Sequence, residues 1–343
     1  MTMWQLVNNT PFAADKTLVA DKNGVDMWVV AVKCTYTIRP DGTTEVAEEQ
    51  KEIVPEPKHR SDAAKTALLH ESDLDYTKVT TDVVLNGSAY APPDRLATQI
   101  DVGMKVGSIQ KVLRVFGDRV WERGGPFGIS LSRPQPFQRM PITYERAFGG
   151  TDDTGWEPRN PVGTGFATDL ARLVGKPGPN IEDPRALIVS WKDRPPPAGF
   201  GPVARHGLPR VRFAGTYDER WKKERLPLLP EDFDERFFQY APADQQAPEF
   251  LKGTEQVDLR NLTPGGRLSF TLPGEFPVFR TRLAGRVMDH RAKLYSIILE
   301  PDIPRVMLLW STSLPCHGPK KYSLERTTIL LKKWARLGEA VYA

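Results

Sequence analysis

Apolar residues along this chain recur with the period of strands far more than with that of helices. From 25 to 38, VDMWVVAVKCTYTI opens on a fully apolar run, closes on alternation and is rich in β-branched and aromatic residues. That combination predicts a long strand. TDVVLNGSAYAP at 81–92 and TQIDVGMKVGSIQKVLRVFGDRVW at 98–121 continue the pattern. Ile100, Val102, Met104 and Val106 keep a strict period of two, the mark of a half-buried strand, and Gly107-Ser108 predicts a hairpin corner before 111–116. The pattern returns late in the chain. EQVDLRNL at 255–262, GRLSFTLPG at 266–274, KLYSIILE at 293–300, RVMLLWSTSLP at 305–315 and LERTTILLKKW at 324–334 all predict strands. Turns between them fall at 261–266 and 300–304, where Asn, Gly and Pro gather.

From 122 to 210 the texture is different, dense in glycine, proline and aromatic residues without a period. ATDLARLVGK at 167–176 predicts one short helix, ended by Gly175 and Pro177. A second is predicted from 232 to 246, because Pro230, Glu231 and Asp232 suit a first helical turn. RPPPAGFGPVARHGLP at 194–209 reads as extended chain, and segments of this kind either bind something or wrap a core. No repeat of fixed period occurs. The expected fold is mainly β: two strand-rich, sandwich-like lobes at 1–147 and 210–343, a long irregular Gly/Pro/aromatic connection at 148–209, and few short helices. The three parts could still form one compact domain.

Composition narrows this further. Hydrophobic residues make up 40% of the 343 positions, enough to build a core and to exclude disorder of the bulk. The 31 prolines are spread along the whole chain and exclude a helical bundle. The longest apolar run, MWVVAV at 27–32, falls far short of the ~20 residues a membrane helix needs. The first residues lack a basic region followed by an apolar stretch, so the expectation is a cytoplasmic protein with no membrane insertion. In that compartment Cys34 and Cys316 are expected to be reduced core thiols. A net charge of +4 is too small for strong nucleic-acid binding, and no nucleic-acid partner is expected. The charge is unevenly spread: residues 1–80 carry 13 acidic against 9 basic side chains, and 320–343 carry 6 basic against 2 acidic. The basic end is either a solvated last strand or a docking surface for an acidic partner.

Specific catalytic signatures are missing: no G-x-S-x-G, no H-E-x-x-H and no G-x-x-x-x-G-K-[ST]. GTGFAT at 163–168 only partly imitates a dinucleotide loop and follows no strand. Five histidines are scattered, and Cys316-His317, the one adjacent pair of metal-competent residues, reads as a turn after a strand. Neither a metal nor a cofactor is expected. Glu231, Asp232, Asp234 and Glu235 could in principle supply a glycosidase pair, but acids at a helix start also serve as caps. The Gly/Pro region interleaves aromatic residues with arginines, the types that dominate protein interfaces. Trp121, Arg146, Phe148, Trp156 and Arg159 are the candidate partner-binding residues. Alternatively, the aromatics are plugs that hold irregular loops in order.

Several segments, in order, resemble one domain family: NNTPFAA at 8–14, TDVVLNGSAYAP at 81–92, KVLRVFGDRVW at 111–121, PQPFQRMPITYERAFGG at 134–150, NPVGTGF at 160–166, LPLLPEDFDERFFQYAPADQQ at 226–246 and NLTPGGRLSFTLPG at 261–274. The family is the set of proteins encoded beside type VI secretion spike and toxin genes in Gram-negative bacteria. The resemblance covers about residues 1–315. It implies a non-enzymatic adaptor or chaperone that binds a secreted toxin effector in the cytoplasm and assists its loading onto the spike complex, with possible contact to a spike or spike-tip protein. Some relatives carry an added pentapeptide-repeat region, and this chain resembles the stand-alone form. A reading from another class is a carbohydrate-active β protein, either a hydrolase or a sugar-binding module. A raised carboxylate in an aromatic cleft would favour that alternative, and an exposed aromatic patch would favour the adaptor.

Overall fold

The computed structural model describes residues 4–124, 128–316, 318 and 323–334, so His317, Lys320, Lys321 and Arg336 lie outside the described residues. The described chain is mainly β, with two short α-helices at Leu208–Val211 and Glu219–Glu224. Three sheets carry the architecture. The largest runs in the order Ala13–Ala20, Asp26–Ile38, Arg305–Pro315, Lys293–Glu300, Asp82–Leu85, with Thr44–Val46 added alongside Asp26–Ile38. Val32 lies opposite Trp310, and Cys34 opposite Leu308.

The unbroken apolar run at 27–32 follows from this position. Both faces of the sheet are covered, so neither needs polar positions. On one face Trp28, Val30, Val32, Cys34 and Tyr36 enter the main core beside Leu308 and Trp310. On the other, Val29 clusters with Tyr76, Phe233 and Phe238, and Ala31 with Ile53 and Tyr295. Cys34 and Cys316 are both buried thiols, as expected, and burial pushes the Cys34 thiol far above its ordinary value.

A five-stranded sheet follows the order Ile181–Glu182, Ile109–Phe116, Gln99–Val106, Gln256–Arg260, Arg267–Thr271. A four-stranded sheet follows Gln5–Asn8, Leu324–Lys333, Glu275–Leu283, Arg286–Arg291. Val102, Met104 and Val106 from the one, and Phe279 and Ile329 from the other, share the main core with the largest sheet. Lys105, between Met104 and Val106, is exposed, which is the alternation a sheet with one wet face requires.

Each of the three sheets takes strands from both ends of the chain, so the stretches 1–147 and 210–343 interleave in space instead of standing side by side. The connection 148–209 is irregular, as expected, yet it supplies Ile181–Glu182 to the five-stranded sheet. The two helical expectations need correction. Residues 167–176 form only a 3-10 turn at Leu170–Arg172, where Asp169 accepts from the Arg172 N–H. Residues 232–246 form two such turns, Glu235–Phe238 and Ala243–Gln245. Pro242 lies between them, and a proline forces the residue before it out of helical geometry. Among the described residues, no helix is long and apolar enough to cross a membrane.

Candidate binding groove

The segment from Phe148 to Thr168 is irregular yet tightly held. Gly149 adopts φ +154°, and a Cβ there would stand 2.2 Å from the Asn160 carbonyl oxygen. A Cβ on Gly163 would stand 2.3 Å from the Asn160 amide nitrogen. The glycines of AFGG and NPVGTGF therefore let two stretches of backbone close on each other, and GTGFAT is part of this packing. Asn160 is buried, and its amide donates to the carbonyls of Tyr144 at 2.8 Å and Phe148 at 3.0 Å. The Asp152 carboxylate accepts from the N–H groups of Thr168, Thr154 and Gly155, and these bonds, that from Thr168 first, hold it well below the usual carboxylate range. Trp156 projects from this framework with 61% of its surface exposed.

The same stretch forms one wall of a groove of about 440 Å³. Arg159, Pro161 and Val162 line it on that side; Pro196, Pro197, Pro202 and Pro209 come from the proline-rich stretch, and Pro242 from the turn before Ala243–Gln245. Tyr144 closes the floor, and its phenol is pushed above its ordinary value by burial and then by Asp244. Proline rings give the walls rigid apolar surface and no N–H donors. Charged groups on the rim are already paired: Lys111 with Asp244 at 2.9 Å, Arg185 with Asp183 at 2.7 Å, and Arg159 with Glu157 at 2.7 Å. Such a groove suits an apolar segment better than an ion.

The family model of DUF2169, an uncharacterized protein conserved in bacteria, matches residues 23–311, a span that contains the whole groove. The chain belongs to that family. No curated protein and no solved structure matches it.

In this DUF2169 chain the five residues singled out from the sequence part company. Trp121 and Phe148 are each 2% exposed and form a small core with Ile129, Ala167, Leu173 and Ile188, so their rings lie out of a partner's reach. They plug the irregular region, which has few ladder hydrogen bonds to order it. Arg146 is tied to Asp118 at 3.1 Å and Asn180 at 3.0 Å, away from the groove. Arg159 lines the groove, and Trp156 stands three residues before it on the same loop. The groove itself was not singled out from the sequence, although its proline-rich wall was the available signal.

The acidic cluster at 231–235 has structural work. Asp232 accepts from the N–H of Thr216 at 2.9 Å and from its hydroxyl, and these bonds lower its pKa. Asp234 caps the Glu235–Phe238 turn and pairs with Arg236, which lowers it as well. A glycosidase acid needs the opposite shift.

A buried ionic layer also escaped the sequence reading. It comes from ESDLDYTKVTTD at 71–82, which runs beneath the second face of the largest sheet. Lys33 pairs with Asp73, Glu71 with Arg210, and Lys78 with Asp82, all nearly devoid of solvent. Arg205 joins Glu71 to Asp75 at 3.0 Å each. The Lys78 ammonium also sits 3.6 Å from the Tyr240 ring centre.

Proposed function

We propose that this DUF2169 chain is a non-enzymatic adaptor, or chaperone, that binds a type VI secretion toxin effector in the cytoplasm and assists its loading onto the spike complex. The observation that carries the reading is the apolar, proline-walled groove, together with an exposed tryptophan three residues before Arg159 of its wall. A tryptophan held in place beforehand loses little entropy when a partner covers it. Rigid proline walls give the same advantage to an apolar effector segment laid between them. Covering such a segment keeps it from aggregating before secretion, and mass action does the rest. The class of partner rests on the resemblance of the ordered motifs to the adaptor family.

The test measures binding of a candidate type VI secretion toxin to the full chain. Trp156→Ala should weaken effector binding by about 2 kcal/mol, roughly 30-fold in Kd, with the melting temperature nearly unchanged. Val162→Glu should weaken binding in the same way by placing a charge on the groove wall. If the Trp156 variant instead loses ~3 kcal/mol of stability while its folded fraction binds as before, Trp156 is a plug and not an anchor. Glycan hydrolysis by the wild type would replace the adaptor reading with an enzymatic one.

A further inference from the structure

The four-stranded sheet packs one face on the core, and register fixes what the other face presents. Gln5, Arg326, Arg282 and Val287 form one row across the four strands. Val7, Thr328, Arg280 and Asp289 form the next. Arg291 and Leu330 flank Val278 in a third, and Lys332 continues the face along its strand. The intervening positions Thr281, Phe279, Thr327 and Ile329 are buried, and the alternation holds along the face except at Val278, which is buried too.

This outward face is strongly one-sided in charge. It carries Arg280, Arg282, Arg291, Arg326 and Lys332, all exposed, against the single acid Asp289. Asp289 is taken by Arg280 in a bidentate pair at 2.8 and 3.0 Å. Arg282 has only a distant contact, 3.7 Å, with Glu325. Arg291 and Arg326 have no ion pair among the described residues. Val287, 53% exposed, and Val7, 36% exposed, add apolar surface at opposite edges of the face. Like charges held side by side on neighbouring strands repel one another. A partner with acidic groups relieves that repulsion.

We infer that the outward face of the four-stranded sheet is a docking surface for an acidic segment of a protein partner. Protein is favoured over nucleic acid by the valines, which suit apolar side chains set between acids. The net charge of only +4 points the same way, since phosphate binding draws on the whole protein's field. The basic character of the last strand, which the adaptor reading leaves unused, finds its place here. The inference stands apart from the groove, so failure of one leaves the other intact.

The full chain should be titrated with a fluorescent twelve-residue peptide of alternating Glu and Val, at low and at physiological salt, with a single-stranded 20-mer DNA as competitor. The expected result is peptide binding that weakens with salt. It should be about 10-fold weaker in the triple variant Arg282→Glu, Arg291→Glu, Arg326→Glu. A second triple variant, to Gln, should give an intermediate loss; its melting temperature and that of the Glu variant establish that the fold is kept. Equal binding by wild type and both folded variants would overturn the inference. So would displacement of the peptide by the DNA at matched charge. A wild-type dimer that the Glu variant fails to form would put a second copy of the chain in the partner's place and overturn it too.

Discussion

Lys33 lies in a strand where its neighbours are valine, alanine and cysteine, and it is only 2% exposed. It is tolerated there because two oxygens reach its side: one of the Asp73 carboxylate and, at 3.0 Å, the Glu52 carbonyl. Asp73 in turn accepts the Val54 N–H at 2.7 Å, so neither member of the pair is left unsatisfied. Burial nonetheless pushes Asp73 above its ordinary value, which means that desolvation outweighs the attraction of Lys33. A pair of this kind is expensive to break and cheap to replace. Asp73→Ala should cost about 3–5 kcal/mol, because a buried ammonium loses its counter-charge. Lys33→Met together with Asp73→Asn should recover at least half of that loss, since no charge then remains and the amide oxygen still accepts from Val54. Urea unfolding of the three proteins decides the matter. A cost below about 1 kcal/mol for Asp73→Ala would show that water reaches Lys33.

At the scale of the element, the stretch from Phe148 to Thr168 has almost no ladder to hold it, so single side chains stand in for one. Asn160 is the chief example: its amide nitrogen is shared by the carbonyls of Tyr144, in a 3-10 turn, and Phe148, in a short strand. Asn160→Ala leaves both without that donor and should cost about 2 kcal/mol of stability. Because Asn160 also lines the groove, the variant's folded fraction should bind effector less well, which separates it from a purely global defect; unchanged stability and binding would show that the loop holds its shape without the amide. The strands were legible in the sequence because each wet or dry face prints its own period, as at 100–106 and 27–32. The short helices were not. Asp169 and Asp234 cap turns that never lengthen, while the real helices at Leu208–Val211 and Glu219–Glu224 are too short to show a period. The ionic layer was illegible for a different reason. Glu71, Asp73 and Asp75 look like a solvated acidic run, and only the tertiary fold places Arg205, Arg210 and Lys33 against them. Of the candidate site, Arg159 and Trp156 were visible as arginine and aromatic residues in loops; the burial of Trp121 and Phe148 depends on packing partners up to 67 positions away, such as Ile188.

For the whole molecule, interleaved sheets mean that both ends of the chain stabilise the same core, and the ionic layer beneath it makes stability answer to pH. His70 is driven down to about 4, first by burial and then by Lys33, Arg305, Lys58 and Arg60. Glu300 stands 3.8 Å away, but its carboxylate is already engaged by Arg305, so the cations prevail. An unfolded chain protonates this imidazole near 6.5. The unfolded state therefore takes up the proton first, and stability falls as pH drops from about 6.5 toward 4, by roughly 2–3 kcal/mol for this group at pH 4.5. Asp75 works the other way. It is raised to about 6 by burial, with one carboxylate oxygen lacking a hydrogen-bond partner among the described residues. Its folded form holds the proton more tightly, so its contribution is full at low pH and is lost as pH rises through about 6. The two opposing groups flatten the wild-type profile between pH 4.5 and 6.5. Removing either one should tilt it. Relative to wild type, His70→Gln should become progressively more stable as pH falls from 7 to 4.5, whereas Asp75→Asn should become progressively more stable as pH rises over the same interval. Urea unfolding of all three proteins at pH 4.5, 5.5 and 7 measures both slopes. Curves that run parallel to wild type would mean that neither group changes its proton affinity on folding, and the account of the buried layer would fail with them.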